Sequence, residues 1–253
     1  MNKIALITGA TAGFGKAVAE IFAKNNYNLI ITGRRAERLS EIKKELESTH
    51  SINVIPLSFD VRNIEEVQKN FEGLSDEWKA IDVLVNNAGL ASGLSHIQDG
   101  DIEDWDRMID TNVKGLLYVS KAIIPLMVER KKGHIINIGS TAGKEVYENG
   151  NVYCASKHAV DAITKGMRID LLGTGIKVTQ IAPGAAETEF NIVRFHGDEA
   201  KAKAAYNGYE PMTANDIAEQ VYYVTTLPSN LCINDMVITS LSQANSFYIN
   251  RKS

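Results

Sequence analysis

The chain has 253 residues, 44% hydrophobic and 23% charged, with a formal net charge of −4, the balance of an ordinary globular protein long enough to bury a core unaided. That charge leaves no broad basic field, which excludes non-specific nucleic-acid binding and makes any phosphate site local. Cys154 and Cys232 show no paired spacing, the opening run Ile4–Ile7 is too short for a signal core, and the apolar stretch 122–128 falls short of a bilayer span, so a cytoplasmic protein is expected.

In chain order, short apolar runs suited to strands alternate with longer amphipathic segments. The first run, Ile4–Ile7, leads straight into Thr8-Gly9-Ala10-Thr11-Ala12-Gly13-Phe14-Gly15, and a helix is expected to open near Gly15. Glycines there permit a tight turn and close approach of a pyrophosphate, and a helix N-terminus offers free N–H groups. A plain glycine-rich strand-to-helix turn carries the same pattern, so the loop alone leaves both readings open.

The second run, 29–32, ends at Thr32-Gly33-Arg34-Arg35. Folds that prefer NAD place an acid there for the ribose 2′-hydroxyl. With arginines instead, the site favours a 2′-phosphate and therefore NADP, with Glu37 the nearest charge of opposite tendency. The same two arginines also suit a solvated helix start.

Runs 53–57 and 83–85 follow, with helix starts at Asn63-x-x-Glu66 and Asp101-x-x-Asp104. The second of these opens a stripe of Ile102, Trp105, Ile109, Val113 and Leu116, which predicts one amphipathic helix with Asn112 set inside it. Asn112 can bond the local backbone and bend the helix, and such a bend can also serve function by holding a water near Lys157.

Run 135–138 places Ser140 at the carboxyl end of a strand, where open α/β sheets carry ligand chemistry. Tyr153 and Lys157 then stand four apart on one helix face. A free phenol has a pKa of about 10, and an adjacent ammonium should lower it into a useful range for proton transfer. Tyr-x-x-x-Lys alone is common on ordinary helices; Ser140 and Asn112 give it company.

Run 177–181 precedes an excursion of about thirty residues between Pro183 and Thr213 without a convincing strand, containing a short helical stretch over 199–206. This segment, about 184–212, is expected to form a substrate lid, on which Arg194 either meets the carboxylate of a hydroxy-acid substrate or stands as a solvated loop charge. A helix start at Thr213-x-x-Asp216 and a last run, 236–239, complete the chain. The alternation implies a doubly wound α/β fold over 1–253: a single domain with one parallel sheet of about seven strands and helices on both faces. No histidine pairs with another at ligand spacing, so no metal is expected.

Together these motifs resemble the short-chain dehydrogenase/reductase family, whose Rossmann-type sheet carries them in the same order. The matching segments are Thr8 to Gly15, Asp60-Val61, Asn86-Asn87-Ala88-Gly89, Asn112, Ser140, Tyr153-x-x-x-Lys157 and Pro183-Gly184 followed by Thr188. The resemblance implies that Asn112, Ser140, Tyr153 and Lys157 are catalytic, with substrate held by Ser140 and Tyr153. It implies that Gly9, Thr11, Ala12, Gly13, Phe14 and Gly15 cradle the cofactor, and that Asp60 and Val61 flank adenine. Asn87, Ala88 and Gly89 then lie at a ribose, while Pro183, Gly184 and Thr188 hold the carboxamide.

A narrower resemblance, through Val193-Arg194-Phe195 and the loops around Gly9 and Ser140, is to the NADP-dependent 3-hydroxy acid dehydrogenases of bacteria and yeast. It implies a homotetramer acting on a small 3-hydroxy acid or hydroxy amino acid. Glu187 departs from the pattern beside the expected carboxamide site. A 3-oxoacyl or general carbonyl reductase and a non-catalytic NADP-sensing binding protein are the alternative readings.

Overall fold

The computed structural model describes residues 2–252. Its first half runs β1 (Ile4–Ile7), α1 (Gly13–Lys24), β2 (Asn28–Gly33), α2 (Ala36–Thr49), β3 (Val54–Ser58), α3 (Ile64–Glu72), α4 (Asp76–Lys79) and β4 (Val83–Asn86). Then come α5 (Ile102–Ile109), a π-helical turn (Asp110–Gly115), α6 (Leu116–Arg130), β5 (Gly133–Ile138) and α7 (Asn151–Asp170). The chain closes with β6 (Ile176–Pro183), α8 (Phe190–Arg194), α9 (Glu199–Ala204), α10 (Ala214–Thr225) and β7 (Asp235–Ile238).

The seven strands form one sheet in the order β3-β2-β1-β4-β5-β6-β7, every pair parallel. Strand alternation splits the core between two faces. On β1, Ala5 and Ile7 join Phe22, Leu39 and Val221 on one side, whereas Ile4 and Leu6 join Phe71, Ile123 and Met127 on the other. Each such fully buried aliphatic or aromatic side chain contributes about 1.5–3 kcal/mol. Because strand order reverses between β1 and β4, a crevice opens at their carboxyl ends. The site lies there.

Two local expectations are corrected. Helix α1 begins at Gly13 rather than near Gly15. The single amphipathic helix from Ile102 is interrupted by the π turn, which adds backbone within the turn and rotates the residues that follow. Ile102, at the first position of α5 and ahead of the π turn, is 61% exposed, while Met108, Thr111 and Asn112 are buried. The excursion after β6 carries α8 and α9 and is closed at its base by a bridge between Ala186 and Met212. The capping oxygens read from Asn63, Asp101 and Thr213 all accept backbone N–H bonds, with a full capping box at Thr213. Among the described residues no helix is long and apolar enough to cross a membrane, and no group of His, Cys, Asp and Glu has metal-holding geometry.

Candidate active site

A cleft of about 570 Å³ runs along the carboxyl ends of β1, β4 and β5, under the α8–α9 segment. At its floor, Gly9 and Gly13 take positive φ (68° and 53°), which glycine adopts without steric cost. Gly15 lies outside the cleft lining. A Cβ there would sit 2.3 Å from the Gly9 carbonyl oxygen, so this glycine packs α1 against the loop rather than facing a ligand. Asn87 fastens the loop from below, its Nδ2 donating to the Thr8 carbonyl at 2.9 Å and to that of Gly9 at 3.2 Å. The start of α1 has no side-chain cap at Ala12 and no acid in its first turn. Its leading N–H groups therefore face the cleft as ready anion donors.

One end of the cleft is cationic. Arg35 donates from Nη2 and Nε to the Thr11 hydroxyl (2.7 and 3.2 Å), and its Nη1 lies 3.2 Å from Glu189. Arg38, one helical turn on, reaches the same carboxylate at 2.9 Å. Arg34 comes no closer than 4.0 Å to Asp60, whose carboxylate is taken up by Arg62 at 2.6 Å. Burial alone would raise the Asp60 carboxyl, but hydrogen bonds from Arg62 outweigh it and hold the group below its usual range.

At the other end stand Ser140, Tyr153 and Lys157. Tyr153 is only 9% exposed, on α7 beside Ser140. Lys157, one turn further and 6% exposed, donates to the Ile138 carbonyl at 2.9 Å. Burial pushes the Lys157 ammonium down to about 8. Burial likewise pushes the Tyr153 phenol up, reinforced by Tyr147, with Arg194 and the Ser140 hydroxyl pulling the other way. The sequence expectation that Lys157 acidifies Tyr153 is thus not met: the hydrogen bond of its ammonium goes to the Ile138 carbonyl, and desolvation dominates. As it stands Tyr153 is protonated at neutral pH.

Asn112 does not line the cleft. It is 2% exposed, accepts from the Leu90 N–H and donates to the Leu90 carbonyl (both 2.8 Å), and reaches Ser156 on α7 at 3.0 Å. The expected local backbone bond is replaced by this cross-link, which the π turn makes possible by turning Asn112 inward. Asn112 and Lys157 converge on Gly89: a Cβ there would lie 3.2 Å from Asn112 Oδ1 and 3.7 Å from Lys157 Nζ.

Arg194, at the end of α8, stacks its guanidinium 5.0 Å over the Tyr153 ring and 5.2 Å over Phe190, and donates to the Tyr147 hydroxyl at 2.5 Å. Its Nε is buried without a hydrogen-bond partner. The α8 segment is pinned where Gly93 N–H donates to the Arg194 carbonyl (2.9 Å) and where His196 meets Asp104 at 3.1 Å. The tail reaches the same cleft of its own chain: Gln243 Oε1 accepts from Ala185 N–H at 2.8 Å, and Lys252 N–H donates to the Gly208 carbonyl at 2.6 Å.

The structure therefore brings to one cleft Gly9, Thr11, Ala12, Gly13, Phe14, Arg34, Arg35, Asp60 and Val61 from its first half. Asn87, Ala88, Gly89, Ser140, Tyr153, Lys157, Pro183, Gly184, Thr188 and Arg194 line it from the rest, leaving Gly15 and Asn112 just behind the surface. Glu187 is not among the lining residues; its N–H bonds Met212 at the base of the excursion, so the acid expected near the carboxamide site stands outside the cleft. Tyr147 and Glu189 line the cleft and Arg38 pairs with Glu189 beside it, none of them marked by a motif. Only Arg38 had a signal, lying one turn beyond Arg34 and Arg35.

A parallel sheet with a glycine-floored crevice at its switch point defines a Rossmann-type α/β protein. Residues 3–198 match the short chain dehydrogenase family, and the chain belongs to it. An NADP-dependent 3-hydroxy acid dehydrogenase of Salmonella typhi is 48% identical over 95% of this chain and 96% of its own. Sulfoacetaldehyde reductase 2 of Chromohalobacter salexigens is 44% identical over 99% of this chain and 100% of its own. Among solved structures, the closed form of serine dehydrogenase complexed with NADP+ superposes with a TM-score of 0.91 at 45% identity, covering 96% of this chain and 97% of that one.

Proposed function

We propose that the protein is an NADP-dependent oxidoreductase of small hydroxy acids, interconverting a carbinol and a carbonyl next to a short anionic tail. The observation that carries this reading is Arg194: a cation stacked over the Tyr153 ring with a buried, unpartnered Nε suits a substrate anion held directly above the phenol. The curated relatives act on 3-hydroxy acids and on sulfoacetaldehyde by name, and a carboxylate or a sulfonate answers the same guanidinium.

The residues fit the cofactor. The uncapped start of α1 and the backbone made accessible by Gly9 and Gly13 suit a pyrophosphate. Arg34 and Arg35 suit a 2′-phosphate; Asp60 and Val61 suit adenine; Asn87, Ala88 and Gly89 suit a ribose. Pro183, Gly184 and Thr188 suit the carboxamide. When bound, the nicotinamide supplies or accepts the hydride.

Tyr153 Oη moves the proton, donating it as a carbonyl becomes an alcohol and taking it back in the other direction. The protonated resting phenol is poised for donation. Ser140 Oγ steadies the substrate oxygen. Lys157 Nζ, charged below about 8, supplies a positive field at the buried end of the cleft. Asn112 acts by position, tying the Leu90 backbone to α7. The whole is read as one domain, with 184–212 as its substrate lid. A cytoplasmic setting agrees with two free cysteines. A homotetramer agrees with apolar Leu117, Val128, Ile169 and Leu172 at the surface of α6 and the end of α7.

The test is steady-state turnover with NADP and NAD on L-serine, allo-threonine, 3-hydroxypropionate and 2-hydroxyethanesulfonate, against reduction of an acetoacetyl thioester. Turnover of at least one small anionic alcohol, preferring NADP, is expected. Reduction of the thioester alone would replace this reading with that of a 3-oxoacyl reductase.

A further inference from the structure

We infer that Glu189 is a specificity-determining residue of the cofactor cleft, whose carboxylate competes with an adenosine 2′-phosphate for Arg35 and so moderates the preference for a phosphorylated dinucleotide. The inference rests on the cofactor reading above and adds to it a residue of opposite sign.

Three arginines gather at this end, but they are not equivalent. Arg35 and Arg38 converge on one carboxylate, at 3.2 and 2.9 Å. Arg34 is nearly free, since the acid nearest to it, Asp60, is already bonded by Arg62. Glu189 and the two arginines are all about 45% exposed in their side chains. Burial would raise the Glu189 carboxyl, yet hydrogen bonds from Arg38 and Arg35 hold it below its usual range, so it is ionised at neutral pH. Glu189 also lines the cleft together with Arg34 and Arg35. A phosphate dianion drawn to Arg34 and Arg35 therefore meets a carboxylate already paired with one of them. It must share that guanidinium with a like charge or displace it.

The location ties this competition to the lid. Glu189 is the residue from which α8 starts, and Arg194 is the last residue of the same helix. One short helix thus joins the cationic end of the cleft to the guanidinium above Tyr153.

The test is calorimetric titration of the full-length protein with adenosine 2′,5′-bisphosphate and with adenosine 5′-monophosphate, comparing the unaltered protein, Glu189→Gln and Glu189→Asp. Both probes lack nicotinamide, so the readout does not depend on turnover. Glutamine keeps the shape and loses the charge. It should tighten the bisphosphate about fivefold, the worth of one solvent-screened unit charge a few ångströms away, and leave the monophosphate unchanged. Aspartate keeps the charge and should stay near the unaltered protein. The gain should shrink as salt is raised. Unchanged or weaker bisphosphate binding by Glu189→Gln, with an unaltered protein that still prefers the bisphosphate, would overturn the competition alone. An unaltered protein that does not distinguish the two probes would remove the 2′-phosphate site itself.

Discussion

Replacing Lys157 with methionine should stabilise the fold while removing turnover. Methionine retains the length of the stem and fills the same space without a charge. In the folded chain burial holds the Lys157 ammonium at about 8, against 10.5 for the free group. At about 1.36 kcal/mol for each pH unit of difference, the charged form costs the fold ~3 kcal/mol. The sign follows from proton counting: between about 8 and 10.5 the unfolded chain binds the proton that the folded chain releases, so stability rises with pH across that window. Below it the full penalty applies. Against this gain the variant loses the bond to the Ile138 carbonyl, about 1 kcal/mol. The net is a stabilisation of ~2 kcal/mol near neutrality, or a rise in Tm of ~4–8 °C for a chain of this size. The assay is scanning calorimetry at matched protein concentration, near neutral pH and again near pH ~9.5, where the difference should largely vanish. A lower Tm for the variant near neutrality, or a gap that ignores pH, would refute the reasoning.

Changing Arg34 and Arg35 together to alanine should weaken NADP binding by about tenfold or more and leave NAD nearly unaffected, as read by fluorescence titration; equal losses for both would make the arginines bystanders. Arg194→Gln should raise KM for hydroxy acids about tenfold with kcat close to unchanged, and should do little to a neutral aldehyde of similar size. A fall in kcat for both substrates would show that Arg194 acts on Tyr153 rather than on a substrate anion.

Elements governed by local pattern were legible in the chain. All seven strand runs lie within a residue or two of the strand ends; β1 and β4, buried along their whole length, are the plainest because strands covered on both faces need apolar residues at nearly every position. The glycine loop, Ser140 and the Tyr153–Lys157 pair are legible only jointly, since each pattern alone also suits an ordinary turn or helix. What escaped depends on partners distant in sequence. The π turn at Asp110–Gly115 has no periodic signature, and a helical stripe assigned Ile102 to the core where Met108 and Asn112 are buried instead. Glu189 meets Arg38 across 151 positions of chain, a separation no spacing rule spans. The phenol was expected to respond to the lysine four residues away; burial, invisible in a linear sequence, outweighs that neighbour.

The most direct measurement is made on Tyr153→Phe, which deletes one oxygen and leaves the ring under Arg194 in place. Turnover should fall by about 10²–10⁴-fold, while NADPH titrated into the variant binds as it does to the unaltered protein. Near-normal turnover, or lost activity that tracks lost cofactor affinity, would contradict the assignment of proton transfer to that hydroxyl.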